Sequence, residues 1–182
     1  MTNIPNLLTF FRILLIPVFV ILFYLPYQWS YMAAAIVFIL AAATDWFDGY
    51  LARAWNQQSR FGAAMDPIAD KAMVVIAIVV ITGYSGMNPW LILPVTIILF
   101  REVFVSGLRE YLGDKSRLLA VTKLAKWKTT LQMVAISILF LATGLAYVEH
   151  GLAPRVGEVG LIWSGSWAAL ATYAGLTLIW IA

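Results

Sequence analysis

Four aspartates fall within one short segment of the sequence, and their type and spacing suit metal-assisted chemistry. They are Asp45, Asp48, Asp66 and Asp70, and they account for four of the nine acidic residues in the chain. Long apolar runs surround the segment, so each carboxylate would lie near hydrocarbon, where an uncompensated charge is costly. The cluster therefore indicates a bound divalent cation, and an all-oxygen site of this kind suits Mg²⁺ or Mn²⁺.

The spacing of the aspartates places them on two helical stripes. Asp45 and Asp48 stand at positions i and i+3, while Asp66 and Asp70 stand at i and i+4. Small residues continue both stripes: Gly49, Ala52 and Gly62. If the stripes face each other, the four carboxylates converge on one small volume. The small residues beside them would let a bulky ligand approach the backbone. Two bound ions would neutralise this cluster and would be suited to hold a diphosphate.

Pro67 affects where the helix that carries Asp66 and Asp70 can begin. If Asp66 is the N-cap, Pro67 occupies the first helical position; if the helix begins near Arg60, Pro67 lies inside it. The stripe argument favours the earlier start. An alternative reading of the whole cluster is structural, with the aspartates paired to basic neighbours: Arg53, Arg60 and Lys71.

The composition of the chain is that of a polytopic membrane protein. Of its 182 residues, 63% are hydrophobic, and the mean hydropathy is +0.88. We predict an all-α fold in a single domain, residues 1–182, with six transmembrane helices of about 20 residues each. Breaks in the apolar runs place these spans near residues 7–27, 31–53, 63–84, 89–109, 124–147 and 159–181. The lack of cysteine excludes disulfides and thiolate metal sites, and no soluble basic module indicates nucleic-acid binding.

The basic residues lie almost entirely on one side of this arrangement. Of the 12 lysines and arginines, all except Arg155 lie in the second and fourth connections or in the span halves that face the same side. The positive-inside rule then predicts that both termini are cytoplasmic. On this topology the four aspartates lie at the cytoplasmic ends of two adjacent antiparallel helices.

The aspartate segment resembles the signature of the CDP-alcohol phosphotransferase family. Eight residues carry the resemblance at the family's spacing: Asp45-x2-Asp48-Gly49-x2-Ala52-Arg53-x8-Gly62-x3-Asp66-x3-Asp70. The segments NIPNLLTFFRILLIPVFV and REVFVSGLRE extend it, so that it covers residues 3–135 well and the C-terminal third weakly. Outside the signature, the chain is most similar to bacterial members that transfer a phosphatidyl group from CDP-diacylglycerol to sn-glycerol 3-phosphate.

The resemblance implies a role for each of the signature residues. Asp45, Asp48 and Asp66 would hold two Mg²⁺ or Mn²⁺ ions, with Asp70 sharing one of them. Asp70 would also be the general base that deprotonates the acceptor hydroxyl, which attacks the β-phosphorus as CMP leaves. Contacts with the CDP-lipid would come from six residues: Gly49, Ala52, Arg53, Gly62, Asn6 and Thr9. The resemblance also implies a homodimer in the bacterial cytoplasmic membrane, among membrane lipids, with its active site facing the cytoplasm.

The first predicted span begins with polar residues at helical spacing. Asn6, Thr9 and Arg12 stand at i, i+3 and i+6 in an otherwise apolar segment. They would contact the ligand if this helix lies beside the nucleotide pocket. Alternatively, Arg12 extends its charged end to the cytoplasmic interface.

Basic residues on the fourth and fifth spans predict a site for an anionic acceptor. Arg101 and Arg109 lie in and at the end of the fourth span, while Lys126 and Lys128 open the fifth. Because the aspartates are assigned to metal, these cations exceed the acids near them, and arginine is suited to clamp a phosphate. Three further cations are better explained by contacts with anionic lipid headgroups: Lys115, Arg117 and Lys123.

Other functions compete with this interpretation. Family members with a different acceptor, such as inositol phosphate or phosphatidylglycerol, would share the signature. A divalent-cation transporter would use the same acidic cluster, but it predicts acids along a path through the membrane. The predicted outer half carries only Glu149 and Glu158, so the asymmetry favours a one-sided catalytic pocket. A non-catalytic scaffold would leave the converging aspartates unexplained.

Overall fold

A computed structural model describes residues 4–25, 27, 29–54, 60–113, 123–150 and 167–182. Within these ranges, side chains are described except at 4–8, 45–54, 60–64, 66–67, 123–126 and 150. The described part of the chain is all-helical, as the sequence predicts, and has no strand. Its helices are α1 (Ile4–Tyr24), α2 (Ser30–Ala54), α3 (Arg60–Tyr84), α4 (Pro89–Leu112), α5 (Lys123–His150) and α6 (Trp167–Ile181).

Helix boundaries follow local chemistry where their caps are described. Asn88 caps α4, because its side-chain oxygen accepts a hydrogen bond from the backbone N–H of Trp90 at 3.0 Å, and Pro89 occupies the first turn. Gly113 ends α4 with a φ of +49°, a backbone conformation that favours glycine. Helix α3 begins at Arg60, so the earlier of the two predicted starts is confirmed and Pro67 lies inside the helix.

Within the described part of the chain, two helices are long and apolar enough to cross a membrane, judged by length and composition. They are α4, with 24 residues, and the 23-residue segment Trp127–Glu149 of α5, and both have a mean hydropathy of 2.0. Shorter apolar stretches lie in three other helices: Thr9–Tyr24, Ser30–Thr44 and Trp167–Ile181. Large apolar side chains of the described residues also face outward, as Ile21 and Ile97 do at 60% and 64% exposure. Membrane association follows from these apolar surfaces.

An aromatic cluster forms the core between α1, α2 and α5. The rings of Phe19 and Phe140 meet edge to face at 4.9 Å between centroids, and Phe23 and Phe38 lie at 5.5 and 5.3 Å from Phe140. Phe19 and Phe23 recur four residues apart on one face of α1, while Val18 and Ile21 face outward. This core holds α1 against α2 and therefore fixes where the polar residues of α1 lie.

Two glycines let α5 approach its neighbours closely. A methyl group at Gly175 of α6 would lie 2.7 Å from Cγ of Leu139, which is fully buried. At Gly144 it would lie 3.1 Å from the backbone of Met32 in α2. Small residues at such crossings allow membrane helices to pack backbone to backbone. Helix α5 is thus packed tightly between α2 and α6.

Candidate active site

The backbone of α2 and α3 carries the aspartates along two helices. Asp45 and Asp48 lie in the second half of α2, and Asp66 and Asp70 lie in the first half of α3. Both helices are continuous through these positions, so the spacings that define the predicted stripes are helical spacings. The side chains of Asp45, Asp48 and Asp66 lie outside the described residues. Among the side chains that are described, no three potential metal ligands form a cluster.

Asp70 is the aspartate whose surroundings the structure describes. Its Oδ1 accepts a hydrogen bond from Nη1 of Arg12 at 2.5 Å, and the two side chains form an ion pair between α3 and α1. The Asp70 side chain is 39% exposed, whereas that of Arg12 is 1% exposed. The structure therefore shows Arg12 buried against Asp70, so the alternative that it extends to the interface is wrong.

A cleft of about 170 Å³, lined by both polar and apolar side chains, opens beside Asp70. Four helices line the cleft. Helix α2 contributes Ala42 and α4 contributes Glu102, while α3 contributes Asp70, Lys71 and Val74, and α5 contributes Thr129, Thr130 and Met133. A cleft of this size suits a small polar molecule better than a bulky ligand. It brings a carboxylate from the signature together with a second carboxylate, a cation and two hydroxyl groups.

A hydrogen-bonded chain joins α3 to α4 at this cleft. Nζ of Lys71 donates to Oγ of Ser106 at 2.5 Å, and Oγ of Ser106 donates to the backbone carbonyl of Glu102 at 2.7 Å. The sequence interpretation gave Lys71 only a structural role and did not assign Glu102 or the threonines of α5 to a site. The helical spacing of Lys71 and Val74 would have indicated a shared face, but not what that face meets.

The predicted acceptor-binding residues differ in their relation to the cleft. On α4, Arg109 follows the cleft residue Glu102 by seven positions, which is nearly two full turns, so it lies on the same face of the helix. Arg101 is adjacent to Glu102 in sequence and therefore points about 100° away. Arg109 is exposed and Arg101 is partly buried. None of the described candidates, Arg101, Arg109 or Lys128, lines the cleft itself.

The two lysines of α5 also lie on different faces of their helix. Lys126 precedes the cleft residues Thr129 and Met133 by three and seven positions, so its place in the helix is on the cleft face. Lys128 directly precedes Thr129, is exposed, and occupies a different face. The side chain of Lys126 lies outside the described residues.

The remaining predicted contacts with a nucleotide-lipid are described only in part. Thr9 is buried at 4% exposure and lies one turn before Arg12 on α1, on the side of that helix that holds the ion pair. Asn6, Gly49, Ala52, Arg53 and Gly62 lie outside the residues whose side chains the structure describes. The positions of these residues within α1, α2 and α3 are nonetheless helical.

Comparison with known proteins identifies relatives along almost the whole chain. The family model for CDP-alcohol phosphatidyltransferase matches residues 2–179. A CDP-diacylglycerol–glycerol-3-phosphate 3-phosphatidyltransferase from Cereibacter sphaeroides is 60% identical over 195 residues, covering 99% of this chain and 88% of the relative. Proteins of the same name from Escherichia coli K12 and Salmonella paratyphi A are 47% and 46% identical, covering 89% of this chain and 90% of each relative.

Proposed function

The chain belongs to the CDP-alcohol phosphatidyltransferase family, and we propose that it transfers the phosphatidyl group of CDP-diacylglycerol to sn-glycerol 3-phosphate. The products are phosphatidylglycerophosphate and CMP. The observation that carries this proposal is the position of Asp70, the last residue of the signature, on the wall of a cleft that also presents charged and hydroxyl side chains among apolar helices. The names of relatives at 60% and 47% identity support the choice of both substrates.

The reaction is a direct displacement at phosphorus. A hydroxyl group of glycerol 3-phosphate enters the cleft, and the carboxylate of Asp70 accepts its proton. The hydroxyl oxygen forms a bond to the β-phosphorus of CDP-diacylglycerol, and the bond from that phosphorus to the CMP oxygen breaks. Because a carboxylate in the cleft can accept the proton of the acceptor hydroxyl directly, the reaction needs no covalent enzyme intermediate.

The signature carboxylates would hold two divalent ions, Mg²⁺ or Mn²⁺. Asp45, Asp48 and Asp66 would be the ligands, with Asp70 sharing one ion. The donor set fits, because all four ligands are carboxylates and stand at helical spacing on α2 and α3. Ala42, three residues before Asp45, lines the same cleft as Asp70, which supports convergence of the two helices there. Bound ions would supply charge stabilisation at the phosphoryl oxygens and the leaving group.

For the acceptor phosphate, the helical faces favour two of the four predicted cations. Arg109 and Lys126 share the faces of α4 and α5 that line the cleft, whereas Arg101 and Lys128 do not. We infer that the first pair binds the phosphate of glycerol 3-phosphate at the cleft entrance. Lys71 adds a third positive charge inside the cleft, held by its bond to Ser106. Phosphate recognition by several cations explains a preference for a phosphorylated acceptor.

The CDP-lipid would occupy the side of the site formed by α1, α2 and α3. Arg53 would bind the diphosphate, and three small residues would shape the nucleotide pocket: Gly49, Ala52 and Gly62. The burial of Thr9 one turn from the Asp70 partner Arg12 supports a place for Asn6 and Thr9 beside this pocket. The diacyl chains would remain in the surrounding lipid.

The proposed function implies a particular arrangement of the chain in the membrane. The chain would form a single domain, residues 1–182, with six transmembrane helices and both termini in the cytoplasm of a bacterium. The 25-residue lengths of α2 and α3 support full spans, since about 20 residues cross the hydrocarbon core. The active site would face the cytoplasm at the inner membrane, where CDP-diacylglycerol and glycerol 3-phosphate meet. The protein would act as a homodimer.

An acceptor comparison tests the proposed function. Purified protein in detergent is supplied with CDP-diacylglycerol and Mg²⁺, and CMP release is measured with each acceptor added alone. Glycerol 3-phosphate is compared with inositol phosphate, phosphatidylglycerol and serine. We expect release with glycerol 3-phosphate only. Release with another acceptor would contradict the assignment of the acceptor, and no release from folded protein would favour the divalent-cation transporter.

A further inference from the structure

The two partners of the ion pair between α1 and α3 lie in different environments. Arg12 is 1% exposed, and its Nη1 lies 2.5 Å from Oδ1 of Asp70. The carboxylate belongs to a side chain that is 39% exposed and lines the cleft. Among the residues whose side chains the structure describes, none that lines the cleft comes from α1. The cation is therefore enclosed by protein, while its acidic partner reaches the space where an acceptor would bind.

Stability alone is a weak explanation for such a pair. Removing a guanidinium from water costs several kcal/mol, and well-packed apolar residues often replace a buried ion pair without loss of stability. Arg12 also lies in an apolar segment, where Ile16 and Phe19, the next buried residues of α1, pack into the hydrophobic core. A charge retained at this position is better explained by what it does to the carboxylate that it contacts.

The geometry of arginine suits the fixing of a carboxylate. The guanidinium is planar and rigid and cannot lose its charge, so it restrains both the position and the orientation of the group that it binds. Asp70 projects from one helix into an open cleft, and its bond to Arg12 restricts the rotamers that the short aspartate side chain can adopt there. The bond to Arg12 holds one oxygen of the carboxylate on the α1 side of the cleft.

We propose that Arg12 is a positioning residue that holds the carboxylate of Asp70 in the orientation needed to accept the proton of the attacking hydroxyl. The inference rests on the proposed function, in which Asp70 is the general base. Because Arg12 acts through Asp70 from outside the cleft, its loss affects turnover and leaves the binding of both substrates nearly unchanged. Arg12 thus differs in role from Arg109 and Lys126, which are proposed to bind the acceptor itself.

Steady-state kinetics of Arg12→Gln and Arg12→Lys test this role. We expect kcat to fall about 100-fold in Arg12→Gln, since misplacement of a reacting group by about 1 Å has an effect of that size. In Arg12→Lys, which keeps the charge but not the planar fork, kcat should fall about 10-fold. The KM values for glycerol 3-phosphate and CDP-diacylglycerol should stay within about threefold of wild type in both variants. Rates are expressed per folded molecule, measured by size-exclusion chromatography and thermal unfolding.

Two further variants separate positioning from a purely structural role. Adding Arg12→Gln to Asp70→Asn should cause no further loss of the residual turnover of Asp70→Asn, measured in long single-turnover incubations, because a residue that acts through Asp70 has no effect once that carboxylate is absent. Thr143→Val is the matched control. Thr143 is 2% exposed, its hydroxyl donates to the backbone carbonyl of Leu139 in α5, and it is not among the described residues that line the cleft, so kcat should stay near wild type.

The outcomes distinguish this inference from the function on which it rests. If Asp70→Asn is inactive while both Arg12 variants keep kcat within threefold of wild type, the positioning role is refuted and the function stands. If the loss in the Arg12 variants lies in KM, or adds to that of Asp70→Asn, Arg12 does not act through Asp70. If Asp70→Asn itself turns over like wild type, the assignment of the base fails first. Should Arg12→Gln not fold, Arg12→Lys decides the question, since it keeps a cation opposite Asp70.

Discussion

Replacing Asp70 by asparagine should reduce both stability and turnover, because it removes a carboxylate that pairs with a buried guanidinium. The centres of the two charges in the Arg12–Asp70 pair lie about 4 Å apart, so their attraction is about 4 kcal/mol at an effective dielectric of about 20. The 39% exposure of the Asp70 side chain and the desolvation of Arg12 both offset part of this attraction. We therefore expect Asp70→Asn to lower the free energy of unfolding by about 2 kcal/mol, or about 4–8 °C in Tm.

A double-mutant cycle measures this coupling without a substrate. Arg12→Gln should destabilise less than Asp70→Asn, because the remaining carboxylate stays hydrated in the cleft, and the double variant should be more stable than Asp70→Asn alone. Glu102→Gln is the matched control, since it neutralises another carboxyl residue of the same cleft. The eight tryptophans allow unfolding in detergent to be followed by intrinsic fluorescence. If Asp70→Asn unfolds like wild type, or if the two single effects simply add, the reasoning about this pair is refuted.

Three further predictions concern the metal ligands, the acceptor and helix packing. Asp48→Asn should weaken Mg²⁺ activation and CDP-diacylglycerol binding together, as metal titrations of activity and a lipid-binding assay would show; an unchanged metal dependence would remove Asp48 from the ligand set. Arg109→Gln should raise the KM for glycerol 3-phosphate about tenfold or more and that for CDP-diacylglycerol little, while Arg101→Gln should change neither; equal rises in both constants for Arg109→Gln would assign it a structural role. Gly175→Ala should destabilise the protein by about 1–3 kcal/mol, because its methyl group would overlap a buried leucine of α5. Gly107→Ala is the control: a methyl group at Gly107 would meet no atom within 4 Å, so this variant should stabilise α4 slightly. Equal Tm values for the two glycine variants would contradict the packing described at Gly175.

Helix positions and the start of α3 could be read from the sequence because they depend on local patterns. Apolar runs broken by polar and proline-containing segments gave the helices to within a few residues at most described ends, and α4 begins at Pro89 as expected. The stripe spacing of Asp66 and Asp70 required a helix that begins before Pro67, and α3 begins at Arg60. These features depend only on residues close together in the sequence, and helical periodicity is enough to predict them.

The partners of the site residues could not be predicted in the same way. Arg12 and Asp70 are 58 positions apart, and no local pattern shows that α1 places its arginine against α3 rather than at the interface. Likewise, charge alone did not separate Arg109 from Arg101, because that distinction depends on which face of α4 meets the cleft. Such relations follow from how α1, α3, α4 and α5 pack, and packing is set by the whole core.

Transfer of labelled glycerol 3-phosphate into lipid tests the central claim most directly. Purified protein is incubated with radiolabelled glycerol 3-phosphate, CDP-diacylglycerol and Mg²⁺, and both the label in the organic phase and the CMP formed are quantified. The account predicts one labelled lipid formed for each CMP released, and loss of both in folded Asp70→Asn protein. CMP release without labelled lipid, or wild-type transfer by Asp70→Asn, would contradict it.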